Sequence, residues 1–150
     1  MKINIYIIEK SSKDPLYEPL IEHFKKLSKP FAKVEVISIF NKSIAKADQN
    51  RAKKEYSLAF EKFLKKGFSI TLDPLGKEVD SFEFASLLKD KQEISFFIGG
   101  AYGFEREFLA KSNKTISFGK ITLSHKLVKV ILMEQIFRGL SIINNHPYHK

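Results

Sequence analysis

The seven residues Asn144-Asn145-His146-Pro147-Tyr148-His149-Lys150 set two imidazoles, a phenol, two amides and an ammonium side by side. Histidine gains and loses its proton near neutral pH. A pair of them beside a phenol is therefore equipped for general acid–base work or for orienting a polar ligand. Three of the four histidines (His125, His146 and His149) fall in the last 26 residues. Chain ends usually fray and carry little chemistry. This one follows directly on a strongly apolar helical pattern, and that anchorage marks it as a functional segment. A zinc site on the three histidines is disfavoured, because Pro147 separates two of them and no carboxylate or cysteine lies close by to complete a ligand set.

A second group of candidates is marked by glycine. Asp73-Pro74-Leu75-Gly76, Gly99-Gly100-Ala101-Tyr102-Gly103 and the stretch Gly119 to Ser124 each follow a short apolar run. In an open α/β sheet the ligand crevice lies beyond the carboxyl ends of the strands. Glycine there lets the backbone approach a ligand and offer its own N–H and C=O groups. Three such loops point to a neutral or zwitterionic nucleoside held by the main chain. G-x-G-x-x-G and the P-loop pattern are both absent, as is the G-x-S-x-G nucleophile turn, which argues against those three chemistries.

The elements that must position these loops follow from periodicity. Lys2 to Ile8, Lys33 to Phe40, Phe68 to Leu72, Glu93 to Ile98 and Lys114 to Phe118 are β-branched or apolar runs of strand length. Asp14-Pro15 is the expected cap of a first helix carrying Leu16, Leu20, Phe24 and Leu27. A second helix is predicted from Ile44 to Lys66, with Gly67 as its stop, and shorter ones over Ser81 to Lys89 and Phe104 to Lys111. The last, Lys126 to Ile143, is apolar over most of its circumference, which predicts burial on both sides and a two-fold contact with a second copy. Strand and helix alternate with short loops. The expected fold is a single α/β domain over residues 1–150, with a mainly parallel sheet flanked by helices.

Composition bounds the rest. The 150 residues carry no cysteine, so disulfides, thiolate metal sites and a cysteine nucleophile are excluded. The first apolar run is too short for a signal-peptide core or a membrane span, and the reading is of a soluble cytoplasmic protein. The net charge of +9 points to a polyanionic partner. Residues 1–66 hold 15 Lys/Arg against 8 Asp/Glu, and residues 67–150 hold 11 against 9. Lys25, Lys26, Lys53, Lys54, Lys65 and Lys66 are the candidate phosphate contacts. With 23 of 26 basic residues lysine, the charge suits backbone positioning better than base reading.

Four motifs occur in order: Leu72-Asp73-x-x-Gly76-Lys77, Ile98-Gly99-Gly100-x-x-Gly103, Leu123-x-His125-x-Leu127-Val128, and Glu134-Gln135-x-x-Arg138 followed by Asn145-His146-Pro147-Tyr148-His149. In these the chain resembles the RlmH (YbeA) family of SPOUT methyltransferases. The resemblance is specific from about Phe68 to Lys150; over residues 1–66 it is one of element order and length. It implies a parallel α/β sheet with a C-terminal trefoil knot, and a homodimer joined through the C-terminal helix. It also implies S-adenosylmethionine as cofactor, and methylation of N3 of a pseudouridine in the helix 69 loop of 23S rRNA in the assembled ribosome.

Carried over by motif, the cofactor loops are Leu72, Gly100 and Gly119, Lys120, Ile121, Thr122, Leu123 and Ser124. His146 or His149 would assist removal of the N3 proton, with Tyr148 beside it, and Arg138 and Lys150 would hold phosphate or developing charge. The tail could instead only close over the cofactor across the dimer interface. No metal is implied. The chain departs from the family at Ala101-Tyr102, where relatives carry Pro-Glu, and at Ser124 and Lys126, where they carry prolines around the histidine. The rival reading is a non-catalytic ribosome- or RNA-binding module of the same fold, with no cofactor affinity.

Overall fold

Lys2–Ile8 (β1), Lys33–Ile39 (β2), Phe68–Glu78 (β3), Glu93–Ile98 (β4) and Lys114–Ser117 (β5) form one sheet in the computed structural model of the chain, which describes residues 1–10 and 13–150. The helices are Glu18–Ser28 (α1), Lys42–Lys46 (α2), Gln49–Glu61 (α3), Ser81–Leu88 (α4), Arg106–Lys111 (α5) and His125–Ile143 (α6). Strand order is β2-β1-β4-β3-β5, and every pairing is parallel. The expected α/β architecture is therefore present, with the sheet parallel throughout.

Strand alternation sorts the side chains into two cores. Ile3, Ile5 and Ile7 of β1 and Ile94, Phe96 and Ile98 of β4 share one cluster with Ile21 of α1, Phe84 and Leu88 of α4, and Leu132, Ile136 and Leu140 of α6. Tyr6 and Ile8 of β1 and Phe97 of β4 share the other with Ile44 of α2, Ala52, Tyr56 and Phe60 of α3, and Phe108 of α5. Connections moving toward the β2 edge carry α1 and α4 on one face. Those moving toward the β5 edge carry α2, α3 and α5 on the other. The crossover hand is thus constant, as parallel sheets require.

Four local expectations are corrected. The first helix starts at Glu18, because Asp14 spends its carboxylate on a turn, accepting from Leu16 N at 3.0 Å. The predicted helix from Ile44 to Lys66 is two helices. Asp48 accepts from Arg51 N and caps a new start, and α3 ends at Glu61, six residues before Gly67. The Asp73–Gly76 segment does not end its strand. β3 bulges there and resumes its pairing with β5 at Lys77 and Glu78; Pro74 has no N–H to give the ladder.

The fourth correction concerns α6. Both α1 and α4 pack alongside it on the same face of the sheet, so Leu132, Met133, Ile136, Phe137 and Leu140 are buried within the chain itself. The outward remnant is narrower than the sequence implies. Leu127 is 42% exposed, and the Asp14–Lys126 ion pair (2.7 Å) draws in the turn that carries Leu16, 71% exposed.

Phe96 is fully buried at the centre of the sheet. Phe96→Ala should lower stability by about 3–5 kcal/mol, whereas truncating exposed Leu75 to Ala should change it by no more than about 0.5 kcal/mol. Urea unfolding of both variants checks the contrast.

Candidate functional site

The bulge of β3 and the carboxyl ends of β4 and β5 open on one cavity of about 460 Å³, a size suited to a drug-sized ligand. Leu72, Gly100, Gly119, Ile121, Thr122, Leu123 and Ser124 all line it, so seven of the eight residues expected to bind cofactor converge there. Lys120 does not line it. Among the described residues, Asp73 is the only charged one in the wall, and no lysine or arginine faces the space. Asp73 is buried, and its Oδ1 accepts from Leu75 N at 2.9 Å. An apolar cleft with one carboxylate and no cation is a poor host for phosphate. It suits a ligand that is neutral or carries positive charge.

Two glycines shape the walls. A Cβ at Gly100 would lie 2.5 Å from the ring of buried Tyr56, so only glycine lets the loop after β4 settle there. Gly119 has φ +121°, a backbone that L side chains rarely adopt. Its N–H donates to Ser117 Oγ at 3.1 Å, and that hydroxyl donates back to Gly119 O at 2.7 Å, closing the turn.

The departures from the family pattern find local uses. Ser124 is the N-cap of α6, its hydroxyl accepting from Leu127 N, and Lys126 takes the ion pair with Asp14. Ala101 lines the cavity, and both it and Tyr102 are exposed.

His125, the first residue of α6, also lines the cavity. It lies within the motif Leu123-x-His125-x-Leu127-Val128, the one signal in the sequence for a place at the cavity. Partial burial lowers its pKa below the ordinary 6.5, and the charges of Lys126 and Lys129 act in the same direction against Glu9. The imidazole is therefore neutral at pH 7.

The tail residues gather at the other end of α6. Arg138 Nε donates to Glu134 Oε1 at 2.9 Å, and Tyr148 OH donates to the same oxygen at 3.0 Å. The guanidinium stands over the Tyr148 ring, 4.8 Å from its centroid, and donates to His149 Nδ1 at 3.2 Å. Burial and the Glu134 carboxylate raise the Tyr148 pKa, which keeps the phenol a hydrogen-bond donor. His146 lies edge-on to Phe31 and Phe137. The chain turns through Asn145 at φ +55°, with His146 N donating to Ser141 O and Asn145 N to Ile142 O, the bonding of a Schellman motif.

Arg138, Tyr148 and His149 thus come together, but not at the cavity. From His125 to Arg138 is 13 residues of helix, or about 20 Å. The same distance removes any shared metal for His125, His146 and His149. The six candidate lysines also separate: Lys25 and Lys26 belong to α1 on one face, while Lys53 and Lys54 belong to α3 on the other, with Lys65 and Lys66 just beyond it.

A family model described as "Predicted SPOUT methyltransferase" matches residues 1–149, which sets the class of the cavity and sheet. Proteins called ribosomal RNA large subunit methyltransferase H are 67% identical in Sulfurovum sp. (strain NBC37-1) and 54% in Aliarcobacter butzleri, in each case over the full length of both chains. A solved structure from Bacillus anthracis, described as a candidate RNA methyltransferase, superposes with a TM-score of 0.56 at 15% identity, covering 99% of this chain and 98% of that one; this likeness speaks to the fold. The chain belongs to the RlmH family of SPOUT methyltransferases.

Because folded His125 binds a proton less tightly than the unfolded chain does, its contribution to stability is whole above pH about 6.5 and declines as the pH falls below that value. His125→Gln should therefore flatten part of the stability loss between about pH 7 and 5, measured by urea unfolding across a pH series. Proton NMR of the parent should place the His125 titration below 6.5.

Proposed function

We propose that the chain methylates large-subunit ribosomal RNA with S-adenosylmethionine, at N3 of a pseudouridine in the helix 69 loop of 23S rRNA within the assembled ribosome. The observation that carries this is the cavity, apolar and walled by one carboxylate without a cation, in a chain of this family. S-adenosylmethionine, when bound, supplies an electrophilic methyl group on a sulfonium centre. Leu72, Gly100 and residues 119–124 would hold it through main-chain groups and apolar contact, with the Asp73 carboxylate the group in the wall best matched to its positive charges. The protein's part is to align acceptor with donor and to exclude water, which can supply several kcal/mol.

The same reading includes a cytoplasmic homodimer with the C-terminal part threaded as a trefoil knot. It supports a two-copy site on distance: the tail cluster stands about 20 Å along α6 from its own cavity, and the exposed Leu16 and Leu127 offer an apolar contact near the other end. One protomer's Tyr148, His149 and Arg138 would then meet the acceptor at the partner's cavity. There the histidine would assist removal of the imide proton and the arginine would hold developing charge.

The test is transfer of labelled methyl from S-adenosylmethionine to intact ribosomes against free rRNA, with mapping of the modified base. Absence of transfer, or transfer to another position, sinks the assignment. Gly100→Ala should weaken cofactor affinity at least about tenfold by calorimetry, since its methyl group meets the Tyr56 ring. Deleting residues 145–150 should leave cofactor affinity within about threefold but abolish transfer. Mixing the two forms so that protomers exchange, at a cofactor concentration too low to load Gly100→Ala, should restore about a quarter of parental activity if pocket and tail come from different copies, and none if they come from the same one.

A further inference from the structure

Beyond the ends of β1 and β2 lies a second recess, also about 460 Å³, which shares Gly100, Ala101 and His125 with the first. Its chemistry is opposite. Lys129 of α6 and Glu9 after β1 both line it, paired Nζ to Oε1 at 2.6 Å with side chains only 10% and 8% exposed. Ser38 Oγ donates to the same Oε1 at 3.0 Å. Among the described residues, no hydrogen bond engages Oε2 of Glu9 or the other two N–H groups of Lys129. Burying such a pair is seldom the most stable choice, because desolvation offsets much of the attraction. A half-used pair at the floor of a recess has the form of a binding group.

We propose that this recess receives a nucleobase of the RNA next to the methyl-donor pocket. Lys129 would donate to a ring carbonyl, and Oε2 of Glu9 would accept from a neighbouring ring N–H other than the one methylated. The C2 carbonyl and N1–H of a pseudouridine present that edge and leave N3 free for the donor; uridine has no N1–H, adenine has no carbonyl, and cytosine has no ring N–H beside its carbonyl. Tyr17, Phe40 and Tyr56 in the lining supply aromatic surface for the flat face of the base. A base lacking the edge leaves the buried charges without partners, and this rejects it strongly. The shared wall at Gly100 and Ala101 sets the base beside the donor. The inference rests on the RNA methyltransferase reading above.

The test uses the full chain with S-adenosylmethionine and ribosomes. One variant combines Glu9→Leu with Lys129→Met, so that neither charge stays buried alone. The other, Ala45→Trp, fills the recess from an exposed position and needs no change in the core. Both should bind S-adenosylmethionine within about threefold of the parent, while kcat/KM for ribosomes falls about 100-fold or more. Methylation retained within threefold by either folded variant overturns the proposal. So does cofactor affinity that falls in step with methylation, which would make the two recesses one site. Should the parent chain itself bind cofactor but modify no ribosomal RNA, the functional reading fails and this proposal falls with it.

Discussion

Leu132, Met133, Ile136 and Leu140 bury α6 in the cluster that holds the centre of the sheet, and α1 and α4 flank it there. Each such side chain is worth about 1.5–3 kcal/mol relative to exposure, so these four together rival the net stability of an ordinary domain. The helix cannot lift or slide without unfolding the chain. Its first turn is therefore fixed as a wall of the cavity at Ser124, His125 and Val128. Its last turn is fixed equally firmly where Arg138 and Glu134 organise the tail. One packing interaction sets where both candidate centres stand and how far apart they are.

The two recesses at the carboxyl edge of the sheet divide the chemistry between them. The first offers apolar surface, main-chain groups and a lone carboxylate, a combination that favours positive or neutral ligands. The second places two ion pairs, Glu9–Lys129 and Asp14–Lys126, around aromatic and aliphatic walls. The loop after β4 and the neutral imidazole of His125 separate them. Neither recess is built to bind RNA by charge. Electrostatic attraction must come from the surface lysines, and these lie on both faces of the sheet.

Much of this was legible in the sequence because its signals are local. β-branched runs located the five strands, and the glycine-marked loops after β4 and β5 located the cavity, since parallel topology gathers strand ends at one edge, while Asp73 and Pro74 reach it from a bulge within β3. Local signals also misled. Asp14-Pro15 has the form of a helix cap, but its carboxylate is taken by a turn and by Lys126. The apolar period from Ile44 to Lys66 runs across a break that only the cap at Asp48 makes visible. The apolarity of α6 overstated its need for outside cover, because no periodicity reveals that two helices of the same chain flank it. Glu9 and Lys129 lie 120 residues apart, and nothing in either neighbourhood announces their pairing.

The tail is where motif and geometry pull hardest against each other. Its residue types are those of a reacting centre, yet they spend their contacts on one another: Tyr148 and Arg138 on Glu134, His149 on Arg138 and edge-on to Phe82, His146 against Phe31 and Phe137. A Schellman turn through Asn145 directs the chain back onto the helix end. To reach its own cavity the segment would have to abandon these contacts and run back about 28 Å from Asn144 to the first turn of α6, beyond the roughly 21 Å that six extended residues span. A second copy that brings its own tail to the cavity requires no such unravelling. The docked state of the tail is thus compatible with the dimer proposed above, in which each protomer would supply a pocket to one reaction and a tail to the other.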